Sequence, residues 1–108
     1  MIILEKIYIS SSINEKKQKK YLQRLSDRKN IKDVFVVVIR KNNINLFEIM
    51  TVRELYRLTD REKEVYVVAV SSTKEEAAYY IGDIICLCDK KHNNTDKAVI
   101  AQELGINE

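Results

Sequence analysis

The sequence has no proline and no tryptophan, and its only glycines are Gly82 and Gly105. Long structureless linkers draw on proline and glycine, so their scarcity argues for a chain built almost throughout from regular elements. Without glycine clusters, the phosphate loop of nucleotide enzymes and the dinucleotide fingerprint are excluded in their usual form. Cys86 and Cys88 are the only cysteines. Two apart in an expected helix, they point to nearly opposite faces and cannot easily bridge. Free thiols suit a reducing compartment, so a cytoplasmic protein is expected. No apolar run exceeds six residues, far short of the roughly 20 that span a membrane. Charge arrives at Glu5 and Lys6, so the start does not read as a signal peptide, and no membrane partner is expected.

What is present is globular in balance. Of 108 residues, 45% are hydrophobic and 32% charged, enough apolar surface for a core without metals or disulfides. Residues 1–108 read as one small α/β domain, with 93–108 as a C-terminal appendage. Ile2–Ile9 reads as a strand that ends in Ser10-Ser11-Ser12. Ser12 and Glu15 have capping-box spacing, so a helix is expected from Ile13 to about Lys29. Val34–Ile39 and Val65–Val70 are six-residue apolar runs rich in β-branched side chains, which read as strands covered on both faces. Between them, Lys41-Asn42-Asn43 suits a hairpin turn, with Ile44–Met50 returning as a strand. Thr51 and Glu54 repeat the capping-box spacing before a short helix over Val52–Leu58. Ser72–Glu75 starts a long helix to about Lys90, with Ala77, Ile81, Ile84, Ile85 and Cys88 as its buried stripe. Asp96–Leu104 is a last short helix stopped by Gly105.

The expected architecture is therefore a two-layer α/β (α+β) fold of order β-α-β-β-(short α)-β-α. It has a mixed sheet of about four strands, with the two long helices mainly on one face. The first β-α-β unit is expected to be parallel and right-handed. A ferredoxin-like variant fits this order, although the helix between Met50 and Glu64 is short for its regular form.

Chemistry is scarce. Ser10-Ser11-Ser12 follows a strand and opens a helix, where free amides can hold an anion. The capping role of Ser12 accounts for that pattern more simply, and the same holds for Ser71-Ser72-Thr73. His92 stands four residues after Cys88, a spacing that can bind metal on one helix face. A closed zinc site needs four ligands, and only Cys86, Asp89 and Asp96 are near, with Cys86 on another face. A Cys-His nucleophile pair lacks a group to orient the imidazole, and Cys88 lies in an apolar stripe that disfavours a thiolate. Asp33 and Glu48 flank the hairpin, but a nuclease-type site would add a lysine where Met50 stands. No catalytic residue, metal or cofactor is assigned.

Two asymmetries remain. Between Ser12 and Lys32 stand eight lysines and arginines against Glu15 and Asp27, in a chain whose net charge is +3. Lys16, Lys20, Arg24 and Arg28 form a row at four-residue spacing that could follow a phosphate backbone. The other asymmetry is apolar surplus. The first helix has a thin stripe of Tyr21, Leu22 and Leu25, too little to cover a sheet face. Either the short helices close the second face, or a second copy of the chain covers a bare face carrying Val34, Val36, Val38, Val65 and Val67. The leading expectation is a non-enzymatic, self-associating interaction module, most simply a homodimer. A nucleic-acid-binding accessory protein using residues 16–32 is the alternative, and a small enzyme of unknown class is the third.

Overall fold

A computed structural model describes residues 1–106. Eight elements follow one another: β1 (Ile2–Ile9), α1 (Glu15–Ser26), β2 (Phe35–Arg40), β3 (Glu48–Thr51), α2 (Val52–Thr59), β4 (Val65–Ser71), α3 (Lys74–His92) and α4 (Lys97–Glu103). The four strands form one mixed sheet in the order β1-β4-β2-β3. The α/β class, the mixed four-stranded sheet and the element order stand as expected.

Strand directions correct one expectation. β1 runs parallel to β4, whereas β2 runs antiparallel to both β4 and β3. β1 and β2 are therefore antiparallel and separated by β4, so the first β-α-β unit is not a parallel crossover. The chain leaves β1, passes through α1 and returns through residues 27–34 to start β2 at the same end of the sheet where β1 finished. Buried Ile31 and Val34 anchor that return. Only the second unit, β3-α2-β4, joins parallel strands. A ferredoxin-like variant needs both units to do so, and it is not the arrangement adopted.

The sheet buries both faces inside one chain. Strand side chains alternate in direction, and two separate cores follow. Val36, Val38, Val65 and Val67 pack with Leu25 of α1 and with Val52, Leu55 and Leu58 of α2. Val37, Ile39, Tyr66 and Val68 pack with Ala77, Ile84 and Cys88 of α3 and with Ile100 of α4. The two long helices thus lie on opposite faces and not mainly on one. The thin stripe of α1 suffices because α2 and the flanking loops, through Ile13, Ile31 and Val34, supply the missing area. The stretch expected as an appendage likewise joins the core, where Ile100, Ala101 and Ile106 are buried.

Helix ends show which local signals won. Thr51 and Glu54 form the expected capping box, with reciprocal backbone bonds. At α1, by contrast, Asn14 is the cap and accepts from Lys17 N at 2.9 Å. Asn and Ser compete for this role on nearly equal terms. The choice of Asn14 frees the Ser12 hydroxyl. α1 stops at Ser26 because Arg28 adopts φ +56°, with Lys29 N donating to Arg24 O and Arg28 N to Leu25 O. This is the left-handed termination that glycine usually supplies. Arg28 is held there by Asp60 at 2.6 Å, by Thr59 Oγ1 and Tyr56 O at 2.9 Å each, and by the Tyr56 ring 5.0 Å away. A Gly105 φ of +78° ends α4 in the same way, as expected.

The returning strand is shorter than expected. Ile44–Met50 shrinks to Glu48–Thr51, and Ile44 is 98% exposed. Backbone polar groups must find partners, and those of this loop find them outside the β2–β3 ladder. Lys97 Nζ donates to the carbonyls of Arg40 at 2.6 Å and Asn45 at 3.1 Å, and to that of Asn43. Asn43 Oδ1 accepts from Asn45 N at 2.9 Å. Arg40 meanwhile pairs with Glu62 and Glu48, and its guanidinium holds the Glu62 carboxyl below the usual carboxylate range.

Candidate functional site

The carboxyl ends of β1 and β4 lie side by side, and the helices that follow them depart to opposite faces. In open α/β sheets such a switch point opens the crevice where ligands bind. Here it gathers four polar side chains from three segments: Ser10 at the end of β1, Ser12 before α1, Ser72 after β4, and Glu76 in the first turn of α3. Ser10 is fully buried, Ser72 and Glu76 are half-buried, and Ser12 is exposed. The Ser12 hydroxyl lies 2.8 Å from that of Ser10 and 2.9 Å from that of Ser72. Ser10 and Ser72 both donate to Glu76 Oε2, the latter over 3.3 Å.

Local sequence explains the assembly. Thr73 caps α3 by accepting from Glu76 N at 3.1 Å. Glu76, not Glu75, is therefore the third helical residue, and its carboxylate turns across the crevice instead of back to its own cap. Below it, Tyr80 donates to Ile9 O at 3.2 Å. Burial and then the Glu76 charge push the Tyr80 phenol above its ordinary pKa, so it stays a donor. A carboxylate already occupies the place where two helix N-termini and three hydroxyls converge. The cluster thus acts as an internal clasp between the loops after β1 and β4, its anion supplied by the chain itself. His92 stands at the far end of α3, sixteen residues from Glu76, or roughly 24 Å along the helix. Among the described residues no serine–histidine constellation is assembled. Glu76 was the member that sequence reading missed. Its available signal was the repetition of a serine run after each of two strands.

The residues singled out from the sequence are distributed as follows. Val34, Val36, Val38, Val65 and Val67 are all buried beneath α1 and α2. They form no bare face, because α2 and the loops cover what α1 alone could not. Lys16 and Lys20 are exposed on α1. Arg24 is half-buried and donates to Asn30 O at 3.2 Å. Arg28 lies past the helix end in the contacts with α2 described above. The expected row of four cations is therefore reduced to two free lysines, because both arginines serve the termination of α1. Asp33 and Glu48 sit at opposite ends of the hairpin, with Glu48 on Arg40 at 3.2 Å. Cys88 is buried and Cys86 exposed, and burial raises the Cys88 thiol above its ordinary pKa. His92 Nε2 lies 2.9 Å from Glu103, which also accepts from Lys91 at 3.0 Å. Among the described residues no three His, Cys, Asp or Glu side chains converge as a metal-binding group, and no helix is long and apolar enough to cross a membrane.

No protein-family model, curated protein or solved structure matches the chain.

Proposed function

We propose that the chain is a non-enzymatic interaction module that pairs with a second copy of itself through the outer face of α3. One observation carries this reading. Glu75, Tyr79, Gly82, Cys86 and Lys90 lie along one exposed line of the helix, at spacings of four, three, four and four. Tyr79 is 68% exposed. Glycine in a helix interior costs about 1 kcal/mol relative to alanine, and among the described residues nothing beyond the adjoining helix backbone lies within 4 Å of the Cβ that Gly82 lacks. A close helix from outside gives that missing side chain a purpose. Charge complementarity selects a second copy. In an antiparallel pairing about Gly82, Glu75 of each chain faces Lys90 of the other, Tyr79 faces Cys86, and the helix dipoles oppose. The reading sets the protein in the cytoplasm, which the two free thiols support.

Sedimentation equilibrium tests it. Wild type is expected to approach twice its 12.7 kDa mass at micromolar concentration. Gly82→Leu should remain folded and monomeric. Glu75→Lys should weaken pairing, and Glu75→Lys with Lys90→Glu should restore it. A wild-type mass of one chain throughout, or a dimer indifferent to Gly82→Leu, overturns the proposal.

Lys16, Lys17, Lys19 and Lys20 support a second reading, weak binding to phosphate backbones. All four are exposed, and none takes part in an ion pair among the described residues. With only Lys16 and Lys20 left of the aligned row, duplex DNA binding at low salt should show a log–log salt slope of about −2. Reversing the charge of Lys20 should abolish it. Sequence-preferring binding that survives physiological salt would replace the interaction reading with this one.

A further inference from the structure

A cavity of about 580 Å³ opens beside β1, and its origin lies in a fault of the sheet. Ile3 pairs with Val67 but Tyr8 with Ala69. Leu4–Ile7 therefore stand where β4 supplies only Val68, and this bulge has no regular partners on the β4 side. β1 is also an edge strand, so no strand satisfies its other side. Backbone carbonyls of the bulge are thus available to a ligand beside them. Across the cavity stand Ile84 and Leu87 of α3 and Leu104 after α4, which with Leu4 give it apolar walls. Its volume falls within the range of small-molecule sites.

The charges around it favour a cation. Glu5 and Glu103 are on the lining, and burial first, then Asp83, Cys88 and Glu103, raise the pKa of the Tyr8 phenol. Together these influences keep the Tyr8 phenol protonated under negative potential. Lys6 is the one cation on the lining. Lys91 and His92 are engaged by Glu103, which leaves Glu5 against Lys6 on the lining, with Asp83 outside it adding negative potential at Tyr8. The Tyr8 ring lies 5.7 Å from that of Tyr80, and an aromatic surface also favours a cation.

We propose that this cavity binds a small organic amine, with its apolar body between Leu4, Ile84, Leu87 and Leu104 and its ammonium group toward Tyr8, Glu5 and the carbonyls of the β1 bulge. An ammonium brings three donors and no acceptor, which suits a site that offers a phenol oxygen, a carboxylate and the carbonyls of a bulge without regular ladder partners on β4. The site is independent of the pairing proposed for α3, because Glu75, Tyr79, Gly82, Cys86 and Lys90 are not on its lining.

The test compares three probes of one shape on the full chain: phenethylamine, phenethyl alcohol and 3-phenylpropanoate. Amide resonances and calorimetry should show phenethylamine binding with a submillimolar Kd and perturbing Leu4–Tyr8. The alcohol should bind roughly tenfold more weakly and the carboxylate most weakly, since a hydrogen bond from a charged donor is stronger than one from a neutral donor. Tyr8→Phe and Glu5→Gln should each weaken the amine about three- to tenfold and leave the alcohol unchanged, with thermal melts confirming that both variants fold. Gly82→Leu should bind the amine as wild type does, which separates this result from the fate of the dimer. Equal or tighter binding of 3-phenylpropanoate, perturbation confined to other residues, or no binding of phenethylamine at millimolar concentration overturns the proposal.

Discussion

Leu55→Ala and Ile84→Ala are each expected to lower the unfolding free energy by about 2–5 kcal/mol, at any protein concentration. The two side chains lie on opposite faces of the sheet and are essentially without exposure. Each truncation removes three side-chain carbons from a packed core and leaves a cavity that its neighbours fill only in part. The pair distinguishes a sheet covered on both faces within one chain from one that relies on a partner for its second face. In the latter, one truncation would fall near a surface of the separate chain and cost under about 1 kcal/mol. Urea denaturation at two widely separated protein concentrations reads the difference. A small or concentration-dependent loss at either position would contradict the packing described here.

The second large effect is expected at Lys97. Replacement by methionine keeps most of the apolar stem but removes the ammonium that binds the carbonyls of Arg40, Asn43 and Asn45. Hydrogen bonds to a charged donor contribute more than neutral ones, and they are not additive, so a loss of about 2–3 kcal/mol is expected. Lys97→Arg should not rescue it. A planar guanidinium presents its donors in a flat fork, and the three carbonyls of a turning loop call for a compact cation. The loss should come with faster amide exchange over residues 41–47, because Lys97 ties that loop to α4. Wild-type stability and exchange in Lys97→Met would show that water replaces the lysine without cost.

Much of the fold was legible locally. The six-residue runs of β2 and β4 announced strands buried on both sides, and both are. The capping box at Thr51 needed only Glu54 three residues on, and it formed. What local pattern could not settle was competition between near-equal signals. Ser12 and Asn14 are both good caps two residues apart, and the loser, Ser12, became part of the cluster with Ser72 and Glu76. Strand order was equally hidden, since no residue of β1 marks β4 as its neighbour. The apolar surplus signals a need for cover on both faces, and of its two expected sources, the short helices and a second copy, the short helices supply it. A stripe of Tyr21, Leu22 and Leu25 looked insufficient because Ile13, Ile31 and Val34, outside the helix, were not counted with it. The Arg24–Arg28 spacing failed for a related reason. A helical row presumes a helix, and the left-handed turn at Arg28 had already ended it.

The pairing of β1 with β4 also sets a timetable. β2 and β3 meet across a short loop, with Phe35 opposite Thr51, and contacts so close in sequence form early. β1 is synthesised first, yet Ile2 has no partner before Tyr66 exists. At about 5–20 residues per second on the ribosome, the first strand spends several seconds as an unpaired, isoleucine-rich segment. Its bulge carries Glu5 and Lys6 into the middle of that segment, and charges there oppose pairing with other nascent chains. The irregularity that opens a cavity in the finished sheet thus also guards the strand while it waits.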